Sequence, residues 1–416
     1  MKEAVGKDIK SACGNCAEIR SRGNCQGMIL GYTDSSGKHC IDYNPALTDI
    51  RADENLFITG EGGAAESCDA AIPYCRQAIR RGHSIVITDI RNELYRGMSE
   101  EFRNAGYIVK RLDFNDAESS DSWDLLGSLR GMDFVKNDAR AVSEVLRLSG
   151  DLLSQIDLSV SKVAVAAVEY FMLCLYIRKL FTDSSVKEED KNVKTLMERI
   201  EHLECEELCM FDERVMMNAR ELLRDHLSAL TDSRIVKMVS GRGIDTFLPN
   251  VGKCAYFVSL PVSAKNDGMR LQPLVAAFIN SIVCSPEITG KPRRVQVDFL
   301  LRDLGFWKCR IPRLESALLS AKYKKMSFCL IDRFDNLKKL YFGKAYDVLR
   351  RCSIWQVFGD RIPGDMLDFL DGLGKADEFF EVFKCNRQDS ETVLVSVCGN
   401  KPVLLYKNKE YVINFN

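Results

Sequence analysis

Asn55-Leu56-Phe57-Ile58-Thr59, followed by Gly60-Glu61-Gly62-Gly63-Ala64-Ala65-Glu66-Ser67, is the stretch on which the reading of this chain turns. Leu56 to Thr59 is a short apolar and β-branched run that predicts a strand, and Ala70, Ala71, Ile72, Cys75 and Ile79 fall at helical spacing after the glycines. Strand, glycine loop, helix is the setting in which bare backbone amides at a helix N-terminus wrap a phosphate. Such a loop reads Gly, four residues, then Gly-Lys-Ser/Thr. Here the spacing survives and the chemistry does not. Gly60 and Ser67 stand in place, with Gly63 between them, and Ser67 could still hold a magnesium ion; but Ala65 stands at the second Gly and Glu66 at the Lys. One charge pair at about 4 Å and an effective dielectric of about 20 is worth about 4 kcal/mol, so exchanging a cation for an anion beside a phosphate costs about twice that. The segment is either such a loop stripped of its phosphate-binding charge or an ordinary glycine turn.

Working outward, further strands are expected at Ser84–Thr88 and Tyr107–Val109. After a long gap come Ala255–Val258, Val295–Leu301, Met326–Ile331 and Ile354–Phe358. No proline occurs between Pro73 and Pro249, and from about Asp138 to Ile244 the apolar spacing is helical. Short buried strands separated by helices imply a parallel sheet covered on both faces. The expected architecture is an α/β core interrupted by an all-helical insertion. Thr392–Val397 and Val403–Tyr406 flank Gly399-Asn400 and predict a closing hairpin. The strand Val295–Leu301 runs into Arg302-Asp303, where a nucleotide-hydrolysing site would carry Asp-Glu to hold magnesium and polarise water. Arg302 repels a metal there, and Asp303 is one methylene shorter than Glu. By itself the pair also reads as a solvated strand end.

The 416 residues are 46% hydrophobic and 28% charged, which excludes a disordered chain and leaves room for two or three domains. With 58 Lys+Arg against 59 Asp+Glu, the net charge of -1 provides no global attraction for a polyanion. Local basic clusters remain at Arg76, Arg80 and Arg81, at Lys291 to Arg294, at Lys322 to Lys325 and at Arg350-Arg351. Tyr323 and Trp355 lie beside two of them, which suits either solvated faces or a nucleic-acid channel. The 16 Cys, without a secretory leader, are expected as reduced cytosolic thiols. Cys13, Cys16, Cys25 and Cys40 hold a single CxxC pair and no second one, so free thiols are expected over a metal site. Val163–Ile177 is apolar but broken by Glu169 and too short for a membrane span, and reads as a buried helix.

Several segments, in order, resemble the TraG-type coupling proteins of type IV secretion and conjugation, which are RecA-like, FtsK-related ATPases. Asn55 to Gly60 resembles the strand entering that family's P-loop. Ser84-Ile85-Val86-Ile87-Thr88-Asp89-Ile90-Arg91-Asn92-Glu93-Leu94-Tyr95 resembles its S-x-V-V-T-D-P-K-G-E-L-Y stretch. Gly106 to Leu112 is similar to its GY-x-V-K-x-L strand, and Ser120 to Leu126 to its S-x-x-x-N-P-L. Phe299 to Pro312 resembles the strand and turn of its second nucleotide motif, and Asn336 to Tyr341 its Q-L-K-K-I-Y helix start. The resemblance covers about Gly27 to the C-terminus. It implies a RecA-like P-loop NTPase core with a mostly parallel sheet and an inserted all-α domain. The expected division is 1–45 for a Cys-containing segment, 46–135 for the first part of the core, 136–245 for the all-α insertion, and 246–416 for the second part with its hairpin.

The departures bear on function. The family's nucleotide positions map here to Gly60, Gly63, Ala65, Glu66, Ser67, Asp89, Arg302 and Asp303, with Asp332 at the sensor Gln. The Pro-Lys-Gly is Ile90-Arg91-Asn92, and the segment preceding the core holds no membrane hairpin. The expectation is a soluble, cytoplasmic pseudo-ATPase without cofactor or metal, recruited to the membrane by partners rather than inserted. It would act as a non-catalytic scaffold or adaptor among secretion or conjugation proteins, active coupling-protein relatives included, with DNA as a weaker candidate partner. The alternative is an ATP- and magnesium-driven translocase with unusual site chemistry. Glu66 and Arg302 exchange the signs of the family's Lys and Asp, which suggests a reversed ion pair closing the site.

Overall fold

The structure, a computed structural model, describes residues 17–45, 53–60, 68–134, 136, 138–154, 163–202, 206–259, 267–341, 345–358, 362, 364–385 and 392–407. Twelve strands among them form one sheet: β1 (Ala17–Ser21), β2 (Met28–Tyr32), β3 (His39–Tyr43), β4 (Leu56–Gly60), β5 (Ser84–Thr88), β6 (Ile108–Asp113), β7 (Cys254–Ser259), β8 (Val297–Arg302), β9 (Met326–Ile331), β10 (Ile354–Phe358), β11 (Thr392–Val397) and β12 (Val403–Tyr406). The order is β1-β3-β2-β12-β11-β10-β4-β9-β8-β5-β7-β6. From β10 to β6 every pairing is parallel. From β10 to β1 every pairing is antiparallel. The C-terminal hairpin turns through Cys398 and Gly399, at φ 52° and 68°, the left-handed conformation a tight hairpin turn uses.

Side chains alternate between the two faces of each strand. Leu56, Ile58, Ile85, Ile87 and Leu300 meet helices α1 (Cys68–Arg81) and α2 (Glu93–Asn104) on one face. Phe57, Val86, Phe299, Phe328 and Leu330 join the core on the other face. That second core is continuous with a helical layer made of α3 (Ala139–Leu152), α4 (Val163–Thr182), α5 (Val193–His202), α6 (Glu213–His226) and α7 (Ser233–Met238). The chain enters and leaves this layer side by side, through the bridges Trp123–Ile244 and Asp124–Ser240. It then passes through α8 (Asp267–Val283), which packs against α3. In α4, Glu169 is fully buried and is held by His226 Nδ1 at 2.6 Å; the bonded carboxylate raises the His226 pKa, against the lowering effect of burial.

Two sequence expectations are corrected. Cys25 and Cys40 are joined as a disulfide rather than free, because the β1–β3 and β2–β3 pairings bring the turn carrying Cys25 beside Cys40 on β3. Trp355 is buried, with its indole N–H donated to Leu349 O, so it presents no stacking surface to nucleic acid. Cys13 and Cys16 lie outside the described residues, and among those described no group of three His, Cys, Asp or Glu could hold a metal.

Asn55, the residue before β4, fixes the start of the parallel sheet. Its side-chain amide donates to Leu318 O (3.0 Å) and Arg351 O (3.2 Å), and its Oδ1 accepts from Phe328 N–H (3.1 Å). It is wholly buried. Asn55→Ala strands two carbonyls and one N–H away from water and is expected to cost about 2–4 kcal/mol, read as a lower midpoint in urea unfolding.

Candidate functional site

In an open parallel sheet, ligands bind outside the carboxyl ends of the strands. At that edge β4 ends at Gly60, β8 at Arg302, β5 at Thr88 and β9 at Ile331, and the first residues beyond the last three are Asp303, Asp89 and Asp332. Register and backbone bonds bring them together. Asp332 N–H donates to Ile58 O (3.2 Å), Asp303 N–H to Ile331 O (2.9 Å), and Asp89 N–H to Val258 O (2.8 Å). Gly60 is required where it stands, because a Cβ there would collide with the Phe358 carbonyl of the parallel neighbour β10. Gly63, Ala65, Glu66 and Ser67 lie outside the described residues, and with them the Glu66–Arg302 pair.

Arg302 is buried at the end of β8. Its N–H donates to Thr88 Oγ1 (2.7 Å) and its carbonyl accepts from the same hydroxyl (3.1 Å), which clamps the ends of β5 and β8 together. Asp89 is also buried, and its Oδ2 accepts from Tyr95 N–H (2.8 Å), holding the first turn of α2. Burial raises the Asp89 pKa; the Tyr95 N–H and then the Arg302 guanidinium pull it back part of the way. Neither Asp89 Oδ1 nor Thr59 Oγ1 has a hydrogen-bond partner among the described residues.

Asp303 adopts φ 57° and turns the chain into the short helix Leu304–Trp307. Asp332 holds that helix. Its Oδ2 accepts from Gly305 N–H (2.6 Å), while Oδ1 accepts from Arg333 N–H (2.7 Å) and Asn336 Nδ2 (3.3 Å). Only glycine fits at 305, since a Cβ would strike Asn336. Burial drives the Asp332 carboxyl up to about 7, opposed by the Gly305 N–H and reinforced by the charge of Asp303. The sequence therefore located Asp89, Arg302, Asp303 and Asp332 along the chain, and the sheet assembles them along one edge. It missed Thr88, whose hydroxyl joins two strands 214 residues apart, and Asp113. The latter ends β6 and accepts from Ser259 Oγ, Asn115 N–H and Asn92 Nδ2. A polar residue closing an apolar strand is the signal common to both.

Four carboxyl groups, Asp89, Asp113, Asp303 and Asp332, and the buried Arg302 guanidinium line the described strand ends, where like charge sets carboxylates against a phosphate and a guanidinium against a metal. Thr88, Asp89, Asp113 and Asp332 each bond backbone here through their side chains.

The fold, an α/β core with an inserted all-α layer, is similar to that of solved conjugative coupling proteins. No family model and no curated protein matches the chain by sequence. Among solved structures it is similar to the bacterial conjugative coupling protein TrwBdeltaN70 in its trigonal form with sulphate, at 13% identity over 96% of this chain and 95% of that one, with a TM-score of 0.64. TrwB in complex with ADP and Mg2+ matches at 13% identity over 96% and 95%, with a TM-score of 0.62. VirB4 of Thermoanaerobacter pseudethanolicus matches at 13% identity over 94% and 98%, with a TM-score of 0.59. Among the described residues, no helix is long and apolar enough to cross a membrane.

Asp332 sets a pH signature. Its folded pKa, about 7, lies above the ordinary carboxyl value, so the folded state holds the extra proton and stability falls as pH rises from about 4 to about 7. Asp332→Asn is expected to flatten that decline, which amounts to at most about 4 kcal/mol, in urea unfolding followed across this range.

Proposed function

We propose that this chain is a non-catalytic coupling-protein-like scaffold or adaptor, a pseudo-ATPase, working in type IV secretion or conjugative DNA transfer. The observation that carries the reading is the buried Arg302 at the end of β8, where a metal-holding carboxylate would be needed, together with Asp332 anchoring a helix at the end of β9. The fold supplies the other half of the argument. Nearly the whole chain superposes on TrwB and VirB4, which supports a shared architecture. Partners on this reading are other secretion or conjugation proteins, active coupling-protein relatives among them. The helical insertion, residues 136–245, carries their recognition. In support, Val142, Leu146 and Phe171 are exposed there and line an apolar groove of 360 Å³.

Titration calorimetry of the full chain with ATP and magnesium tests the reading. Binding weaker than about 1 mM, with no phosphate release, is expected. Tight magnesium-dependent binding with turnover would replace it with an ATP-driven translocase.

A further inference from the structure

The opposite edge of the parallel sheet gathers exposed cations. Six parallel pairings keep the starts of β10, β4, β9, β8, β5, β7 and β6 level, across about 29 Å at about 4.8 Å per strand. Basic clusters far apart in the sequence meet there. Lys253 precedes β7, Lys291 and Arg294 precede β8, and Lys324 and Lys325 precede β9, all exposed. Exposed Arg350 and Arg351 precede β10. The carboxylates of this edge are already engaged: Glu54 pairs with Arg81, Glu287 with Lys324 (2.6 Å), Asp53 Oδ1 accepts from Asn55 N–H, and Asp298 is buried against His83 and Ser327. Some of these cations neutralise helix ends, as Arg350 does in the last turn of the helix Ala345–Arg350. Lys253, Arg294 and Lys325 lie outside any α-helix.

Exposed apolar side chains cluster at the same edge. Ile108 opens β6, Val251 stands three residues before β7, and Leu319 and Tyr323 stand just before β9, with exposures of 45%, 38%, 57% and 69%. Lysines beside projecting aliphatic and tyrosyl tips are the chemistry of a protein resting on lipid headgroups: the cations attract an anionic surface while the tips enter the interfacial layer. A single nucleic-acid strand would instead want several aromatic platforms. Among the described residues the edge exposes Tyr323 alone, because Trp355 is buried.

We infer that the amino edge of the parallel sheet is a peripheral docking surface for an anionic phospholipid bilayer. It is independent of the nucleotide question, since it lies at the other end of the strands.

Co-sedimentation of the full chain with mixed phosphatidylglycerol and phosphatidylcholine vesicles, against phosphatidylcholine alone, tests this. Partition onto the anionic vesicles that weakens with salt is expected. Lys253→Gln, Arg294→Gln and Lys325→Gln combined are expected to weaken it about a hundredfold, at about fivefold per cation. Leu319→Ser with Tyr323→Ser is expected to weaken it about tenfold at unchanged charge, both variants melting at the wild-type temperature. Equal partition onto neutral vesicles, no partition, or an unaffected triple variant overturns the inference. So does tighter binding of a DNA oligonucleotide lost in the same triple variant, which would give the edge to nucleic acid. An oligomer that the triple variant dissociates would give it to a second copy of the chain, and would likewise overturn it.

Discussion

A guanidinium held out of water at the end of β8 is the constraint to which the rest of the carboxyl edge conforms. Desolvating such a group costs several kcal/mol unless opposite charge and hydrogen bonds surround it. Arg302 meets that demand in part through Asp89, whose carboxyl it pulls down, while its backbone is locked to Thr88. Once a cation is placed there, a divalent metal at the same strand end is opposed by like charge. The neighbouring carboxyl then takes on structural work. Asp332 fastens the helix Leu304–Trp307 through Gly305, and the burial that makes this bond firm also keeps the acid half-protonated near neutral pH.

The two ends of the parallel strands thus have opposite character. The carboxyl edge gathers aspartates around one buried arginine, and the amino edge gathers exposed cations and apolar tips. A net charge of -1 conceals this separation, because it sums the two. Composition excludes a globally basic protein, yet it is blind to where charges gather once seven parallel strands are brought level.

Much of the fold was legible because buried parallel strands are short, apolar and spaced by helices. Leu56–Thr59, Ser84–Thr88 and Met326–Ile331 fall on β4, β5 and β9 almost residue for residue. The antiparallel extension through β1, β2 and β3 was not legible, since those segments contain glycines and charges at positions that only pairing with β12 and with one another explains. The Cys25–Cys40 bond was lost for the same reason. At the site, Arg302-Asp303 stood out as a polar strand end, and Asp89 and Asp332 through the family resemblance, whereas the role of each depends on contacts that local pattern does not show. Thr88 to Arg302 and Asp332 to Gly305 have no trace in local pattern. Trp355 shows the converse error: an aromatic beside two arginines suggests a ligand platform until packing buries it.

The central claim is that buried charges hold this edge together, with the Arg302 guanidinium acting on the buried Asp89 carboxyl. A double-mutant cycle in urea unfolding, with Asp89→Asn, Arg302→Gln and the two combined, measures that directly. The account predicts a coupling energy above about 1 kcal/mol, each single substitution leaving a charge behind and the double losing less than their sum. Additivity within about 0.5 kcal/mol would contradict it.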